Sequence, residues 1–283
     1  KAFPDMSALA RAREDKVMAL WAGLGYYSRA RNLHKTAKII SSQYGGVFPK
    51  SHSEIVALPG IGPSTAGAIL SLGSNLEASI LDGNVKRVLA RYHRVKGHYS
   101  KATVLKELWR LAKLHTPSEK NAVYTQAIMD IGATVCTPKN PNCSICPISR
   151  HCEAFVNNEQ LFFPEKKIKR PSKPEKNLVF LVYVNEKNEI FLAKRPSPGI
   201  WGGLWSFEEC QDKSKIVSKA IKKHNRSATI LRRLEKFKHT FSHYNLWITP
   251  IIIDSPGGSK NYYPIRSLTK GVPAPVKKII QSL

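Results

Sequence analysis

Apolar side chains recur at helical spacing through the first 155 residues. Two early stretches place them three and four positions apart: Val17, Leu20, Trp21 and Leu24, then Leu33, Ala37 and Ile40. Further helices are predicted over 53–57, from Pro63 onward, over 101–114 and over 121–135. Residues 1–155 are therefore predicted to form a mainly α-helical domain.

The pattern changes after residue 155. The segment 157–177 holds three prolines, and six basic residues lie between Glu165 and Lys176. Proline prevents continuous helix and no apolar period is visible, so residues 156–176 are predicted to form a basic linker. Its charges are either simply solvated or lie along a phosphate backbone.

Short β-rich runs dominate the rest of the chain. Residues 177–184 and 189–195 flank the turn-like NEKN and predict a hairpin. Strands are predicted over 229–237 and 244–253, with helices over 213–223 and 274–283. Residues 177–283 thus predict a smaller α+β domain.

Charge points to an anionic polymer as partner. The chain has 45 Lys and Arg against 20 Asp and Glu, a formal net charge of +25. Lysine and arginine gain affinity for nucleic acid by releasing its condensed counterions. A lysine-rich composition without a binding role is the alternative. No run is apolar enough to span a bilayer, and no basic amphipathic segment suggests a membrane surface.

Four of the five cysteines lie within seventeen residues, at Cys136, Cys143, Cys146 and Cys152. Disulfides are disfavoured because nothing suggests secretion. Zinc sites usually pair two C-x2-C knuckles, and only one is present here. Gaps of six, two and five suit the corners of a cubane iron–sulfur cluster, which the spacing favours over zinc. Cys210 lies far away and is predicted to be a core residue.

The stretch LPGIGPSTAGAIL, residues 58–70, predicts a hairpin between two helices. Gly60 and Gly62 lack side chains, so backbone N–H groups there can approach an anion. Pro63 suits the first turn of the second helix, whose N-terminus favours negative charge. The segment predicts a phosphate-binding helix-hairpin-helix, with an ordinary helix–helix turn as the alternative.

A single carboxylate follows this hairpin in ILDGNVKRVLAR, residues 80–91. Asp82 precedes Gly83 and a predicted helix whose cap we assign to Asn84. An aspartate there is commonly only a helix cap, but its place after a phosphate-binding hairpin makes it a candidate functional residue.

Together these motifs resemble the MutY-type adenine DNA glycosylases. The resemblance rests on GLGYYSRARNLHK (23–35), the two stretches above and the cysteine loop, and on KRPSPGIWGGLWSF (194–207) and FKHTFSHYNL (237–246), which resemble that family's Nudix-like domain. It implies excision of adenine mispaired with 8-oxoguanine or guanine, by hydrolysis of the N-glycosidic bond after base flipping. It also implies a [4Fe–4S] cluster, a monomer bound to duplex DNA, and a cytoplasmic, nucleoid-associated bacterial protein.

Site roles follow from the resemblance. Asp82 matches the catalytic aspartate, and Asn84 would orient nearby groups. The DNA-binding positions are Tyr26 and Tyr27, which wedge beside the lesion, together with Gly60, Gly62, Ser64 and Lys86. Gln126 matches an adenine-binding position, and Phe241, Ser242 and His243 match the loop that senses 8-oxoguanine.

Two departures narrow the chemistry. Endonuclease III-type lyases carry a Schiff-base lysine where this chain has Ser64, so a monofunctional enzyme is expected, with only occasional adducts at Lys86. Active Nudix hydrolases need a box of metal-binding carboxylates, whereas the stretch directly after Trp205 offers only Glu208 and Glu209, followed by QDKSKIVSKAIKK. The second domain is therefore expected to recognise a base without hydrolysing a nucleotide.

The proton donor to the leaving base has no match. Glu14, Glu54 and Glu77 fit no family acid, and no Gln-Gln-Thr-Gln-like stretch is present. We expect this glutamate upstream of Lys1, in a working glycosylase of which these residues are a part, and negligible turnover from the 283 residues alone. The competing hypothesis is a truncated, catalytically inactive mismatch-binding protein.

Overall fold

A computed structural model describes residues 1–166, 172–257 and 260–283. The chain forms two compact units, Lys1–Ser42 with Pro171–Leu283, and Gln43–Arg170. The centre of the predicted linker, residues 167–171, lies outside the described residues. The predicted domain boundaries stay predictions, and the two units do not follow them, because Lys1–Ser42 groups with the C-terminal part of the chain.

Helices occur in both units. In chain order they are α1 (Met6–Arg11), α2 (Glu14–Trp21), α3 (Ser28–Gln43), α4 (His52–Ala57), α5 (Pro63–Ser74), α6 (Gly83–Tyr92), α7 (Ala102–His115), α8 (Asn121–Asp130), α9 (Glu153–Val156), α10 (Ser214–His224) and α11 (Ala274–Ile280). A π-helix, Ile131–Val135, continues α8, and two 3-10 turns cover Cys143–Ile145 and Ser149–His151.

The unit Gln43–Arg170 is helical and has its core between α6 and α7. Val85, Val88 and Leu89 bury one face of α6, at the spacing of a helical stripe. They pack with Leu108 and Leu111 of α7. A buried hydrogen bond of 2.7 Å from Ser71 Oγ to Thr125 Oγ1 joins α5 to α8. These contacts pack α6 on α7 and α5 on α8, in the same compact unit as the hairpin and the cysteine loop.

The other unit is built on a mixed sheet. Its strands are β1 (Glu175–Val184), β2 (Glu189–Phe191), β5 (Glu208–Gln211), β6 (Thr229–Arg233), β7 (Phe237–Thr240), β8 (Asn245–Asp254) and β9 (Tyr262–Pro264), with β3 (Ala193–Lys194) and β4 (Trp205–Ser206) paired separately. The order is β6-β8-β1-β2-β9, while β5 also pairs with β1 and β7 with β8. The long central pair, β1 and β8, is parallel.

Each face of this sheet has its own core. One face packs under α10 through Val217 and Ile221. The other packs against α11 and against Val17 and Met18 of α2. The segment before α11 lies very close to α2, since a Cβ added to Gly271 would lie 2.8 Å from the Ala19 Cα. Residues 1–42 thus complete the sheet's second face.

Several predicted elements need correction. The strand predicted over 229–237 is two strands, β6 and β7, and the helix predicted over 121–135 changes to π-helix after Asp130. The predicted apolar face of the first helices is only partly buried, because Leu20, Leu24 and Leu33 are exposed. Cys210 was predicted to be a core residue, and its side chain is half-buried against the core under α10. Within the described residues, no helix has the length and apolar character to cross a membrane.

Candidate functional site

The hairpin ahead of α5 has the backbone geometry of an anion-binding turn. Gly60 has a φ of +78°, a left-handed conformation that favours glycine. Gly62 is the N-cap of α5 and faces open space where a side chain would lie. The first N–H groups of α5 have no side-chain cap, so they are available to a phosphate oxygen.

Ser64 connects this hairpin to the candidate aspartate. Its Oγ accepts a hydrogen bond of 2.9 Å from the Leu81 backbone N–H. One turn further along α5, Gly67 lies so close to the segment before Asp82 that an added Cβ would meet the Ser79 carbonyl oxygen at 2.1 Å. Both contacts fix residues 79–82 against α5.

We expect Gly67→Ala to destabilise the protein by about 1–3 kcal/mol, because the new methyl must displace backbone. Gly73→Ala is the matched control in the same helix, since no atom lies within 4 Å of its added Cβ. It should stabilise by about 0.5–1 kcal/mol through helix propensity. Urea denaturation of both variants measures the difference; equal midpoints would show that Gly67 does not hold the segment.

Asp82 is the N-cap of α6, where Asn84 was expected; that prediction was wrong. Asp82 has extended backbone, and its Oδ1 accepts a 2.8 Å hydrogen bond from the Val85 N–H. Asn84 lies within the first turn of the helix instead. Among the described residues, no hydrogen bond reaches Asp82 Oδ2. The half-buried carboxylate is thus held by one oxygen and presents the other.

Arg87 joins Asn84 to the cysteine loop. Its Nη2 donates to Asn84 Oδ1 at 3.0 Å and to the Gly132 carbonyl, and its Nε donates to the Cys136 carbonyl at 2.6 Å. Burial is the main cause that lowers the pKa of this guanidinium. Gly132 permits the approach, because a Cβ there would lie 2.6 Å from the Asn84 Cβ. Asn84 is therefore positioned by the first turn of the π-helix and by the start of the cysteine loop.

The four cysteines line one cavity in this unit. Arg91, 2% exposed, lies beside them, and its guanidinium donates four hydrogen bonds. The acceptors are Cys136 Sγ at 3.2 Å and the carbonyls of Thr137, Pro138 and Phe163 at 2.8, 3.2 and 2.9 Å. This buried cation stands next to the group of thiols.

The donor set fits an iron–sulfur cluster. Burial, and then the neighbouring thiols, raise the pKa of Cys143 above the usual range, and burial does the same for Cys152. Four thiolates thus repel one another there unless iron compensates their charge. In the described parts of the chain, no three His, Cys, Asp or Glu side chains form a group that could hold a single metal ion.

Gln126 lies exposed on α8, directly after the Thr125 that is bonded to α5. Its Nε2 donates to Asp130 Oδ1 at 2.8 Å, which orients the amide. Lys86, on α6, places its ammonium 5.5 Å from the centre of the Tyr99 ring. Both residues therefore belong to the unit that holds Asp82.

The remaining candidates meet in the other unit. Tyr26, Tyr27, Phe241, Ser242 and His243 line a single cavity of about 520 Å³. Tyr26 is 74% exposed and has a φ of +46°. The sequence separates these two groups by more than 200 residues, and packing of residues 1–42 against the sheet brings them together.

Several residues that the sequence analysis did not single out contribute to the cavity that contains Phe241 and to the site around Asp82 and the cysteine loop. Trp201 lies 5.2 Å from the Phe241 ring, and burial lowers the pKa of His239 in the same cavity wall. Arg31 donates to the Gly202 carbonyl and ties the tyrosine segment to residues 199–203. Arg87 and Arg91 are also new. They lie four positions apart in the motif of residues 80–91, a spacing that places both on one helix face.

His93, just after α6, should make the stability of the protein depend on pH. Its Nε2 lies 2.7 Å from His115 Nε2, and burial, then His115, lowers its pKa from the ordinary 6.5. The unfolded chain therefore binds this proton first as pH falls through about 6.5, so the free energy of unfolding should decrease from there downward. Urea midpoints between about pH 7.5 and 5 should fall less steeply for His93→Gln. Parallel curves would contradict the assignment.

Three family profiles match consecutive parts of the chain. A HhH-GPD superfamily base excision DNA repair protein profile matches residues 1–114. The iron-sulfur binding domain of endonuclease III matches 136–152, and a NUDIX domain matches 179–282. The match at 136–152 covers all four cysteines, and the last match coincides with the sheet.

Relatives match along the whole chain. Adenine DNA glycosylase from Buchnera aphidicola subsp. Baizongia pistaciae (strain Bp) is 40% identical over 291 residues, covering 100% of this chain and 82% of the relative. The protein of that name from the Schizaphis graminum subspecies is 36% identical, covering 99% and 82%. The human one is 32% identical over 296 residues, covering 86% of this chain and 54% of that protein.

Proposed function

Because the chain belongs to the adenine DNA glycosylase family, we propose that it excises adenine mispaired with 8-oxoguanine or guanine. Family membership makes it a DNA-binding hydrolase of base excision repair with a [4Fe–4S] cluster. The choice of mispair, the monofunctional chemistry and the monomeric state are our proposals.

The observation that carries the proposal is the placement of Asp82. A base stacked in a duplex must be flipped out before its glycosidic bond can be reached. The hairpin at Gly60–Gly62 would hold a backbone phosphate, and Ser64 links that hairpin to the residue before Asp82. This link supports our proposal that Asp82 would face the sugar of an extruded nucleotide.

Each oxygen of Asp82 has a separate task in this proposal. Oδ1 is held by the Val85 N–H, which fixes the carboxylate. Oδ2 would face the sugar and stabilise the positive charge that develops as adenine leaves. Water then forms the new C–O bond at the oxocarbenium-like carbon and gives up a proton, while adenine leaves with the electron pair of the broken C–N bond and takes a proton from the expected general acid. Asn84 would orient the site, and Gln126 would hydrogen-bond the adenine edge.

The absence of an amine at position 64 supports a monofunctional reaction. A hydroxyl there accepts a backbone hydrogen bond and cannot form a Schiff base with the sugar. The ammonium of Lys86 lies over the Tyr99 ring. We propose that from there it binds a DNA phosphate. When bound, the cluster supplies a covalent cross-link of the four thiolates that orders the loop from Cys136 to Cys152.

The cavity beside the sheet supports recognition of 8-oxoguanine. It combines aromatic walls from Phe241 and Trp201 with the polar groups of Ser242 and His243. Aromatic faces stack on an extruded or unstacked base, while polar groups read its edge. Tyr26, exposed at the same cavity, would wedge into the duplex beside the lesion.

Single-turnover release of adenine tests the proposal. The full gene product and the 283-residue chain are each incubated with duplexes containing A·8-oxoguanine, A·G or A·T. We expect release by the full gene product from the two mispairs only, without strand cleavage. Negligible release by the 283 residues alone would support a proton donor outside them.

An inactive lesion-binding protein is the second candidate, favoured by the same cavity and hairpin. Tight binding to A·8-oxoguanine, without release by a folded and cluster-loaded full gene product, would overturn the enzymatic proposal in its favour. Equal release from A·T and A·8-oxoguanine would leave a glycosylase but contradict the proposed mispair specificity.

A further inference from the structure

The strand β6 is an open edge of the sheet. It pairs with β8 on one side and ends the strand order, so along the described chain its other side is unpaired. All five residues of Thr229–Arg233 are exposed. Such an edge offers a row of backbone N–H and C=O groups to another strand.

Two large apolar side chains lie on this edge. Ile230 is 54% exposed and Leu231 is 62% exposed, and neither packs into a core of the sheet. Ile230 pairs with Ile253 and Arg232 with Ile252, so Leu231 is the extra residue of a bulge. Bulges and charges commonly protect edge strands, whereas adjacent exposed isoleucine and leucine do not.

The edge is also basic. Residues 226–236 contain four basic side chains, Arg226, Arg232, Arg233 and Lys236, against Glu235 alone. Arg233 is paired with Asp212, which leaves the others to attract an acidic partner. Lysines of α10, which packs on the adjoining face of the sheet, add to this charge.

We propose that β6 binds an extended acidic peptide segment of a partner protein by strand addition. The peptide's backbone would pair with the free side of β6, its apolar side chains would cover Ile230 and Leu231, and its carboxylates would lie near Arg232 and Arg226. None of residues 226–236 lines the cavity that contains Phe241.

Two other occupants fit less well. A second copy of the chain would add its own arginines to the same short edge, and like charges close together across paired strands are destabilising. Duplex DNA would satisfy the arginines, but its phosphates cannot pair with both the N–H and C=O groups of a strand edge or cover two exposed apolar side chains. An acidic peptide satisfies charge, backbone and apolar surface together.

The probe is a fluorescein-labelled peptide of five Glu–Val repeats, followed by fluorescence anisotropy with the full gene product at ~150 mM salt. We expect saturable binding, and about tenfold weaker binding for the double variant Ile230→Thr, Leu231→Thr, which places a strand-favouring β-branched residue at both positions. The matched control is Leu114→Thr, Val123→Thr, which removes two apolar side chains 65% and 67% exposed in the other unit and should bind as wild type.

A second peptide, N-methylated at alternate amides, has the same charge but cannot pair as a strand. It should bind at least about tenfold more weakly, and amide hydrogen exchange of β6 should slow only with the unmethylated peptide. Equal binding of both peptides, or unchanged binding of the β6 variant, would show charge attraction alone and overturn the proposal. If the β6 variant loses affinity for duplex DNA, the edge binds DNA instead of a peptide. If the wild-type protein is a dimer and the β6 variant is a monomer, the edge binds a second copy of the chain.

Discussion

Asp82→Asn should abolish adenine excision while leaving the fold as stable as wild type. The amide cannot stabilise a developing positive charge, so the single-turnover rate should fall by at least about 10³-fold. Asparagine caps helices about as well as aspartate, so its side-chain oxygen can keep the hydrogen bond to the Val85 N–H. Adenine release and urea denaturation of the full gene product measure the two effects.

Asp82→Ala separates the two tasks of this carboxylate. It should be as inactive as Asp82→Asn but also less stable by about 1 kcal/mol, because the cap of α6 is lost. A rate for Asp82→Asn within about tenfold of wild type would remove Asp82 from the chemistry and leave it as a helix cap.

Arg91→Met should cause the largest loss of stability. The buried guanidinium donates to Cys136 Sγ and to three carbonyls, and its removal leaves these acceptors without a partner. We expect a loss of about 3–5 kcal/mol and poor retention of the cluster. Urea denaturation and the iron content of the purified protein measure both effects.

Two controls locate the effect at the guanidinium fork. Arg91→Lys keeps the charge but reaches fewer acceptors, so it should be intermediate. Arg150→Met removes an exposed arginine of the same cysteine loop and should change stability by less than about 0.5 kcal/mol. Iron content in Arg91→Met equal to that of Arg150→Met would show that Arg91 does not hold the cluster loop.

Local spacing was sufficient for the elements that contain the candidate residues. The glycine hairpin, the helix after Asp82 and the cysteine loop are each specified by residues within one or two turns, through backbone freedom, helix caps and apolar period. Predictions failed where two neighbouring residues suit the same structural role or where one run could form one strand or two. Asn84 and Asp82 both suit an N-cap, and the strand predicted over 229–237 divides into β6 and β7.

Long-range contacts were outside the reach of sequence patterns. The hydrogen bonds of Arg87 connect it to residues 45 and 49 positions away, and the Arg31 bond spans 171 positions. No periodicity encodes such pairs, because they depend on how whole helices pack and on which buried polar groups then need partners.

The sequence by itself therefore determined the family and predicted the cluster ligands and the candidate aspartate, because each rests on residue types at short fixed spacing. Only the tertiary structure decided that residues 1–42 complete the sheet, that Tyr26 and Phe241 share a cavity, and that Arg87 ties Asn84 to Cys136. The physical reason is that local spacing sets backbone conformation, whereas burial and hydrogen-bond satisfaction between distant segments are settled only when the chain packs.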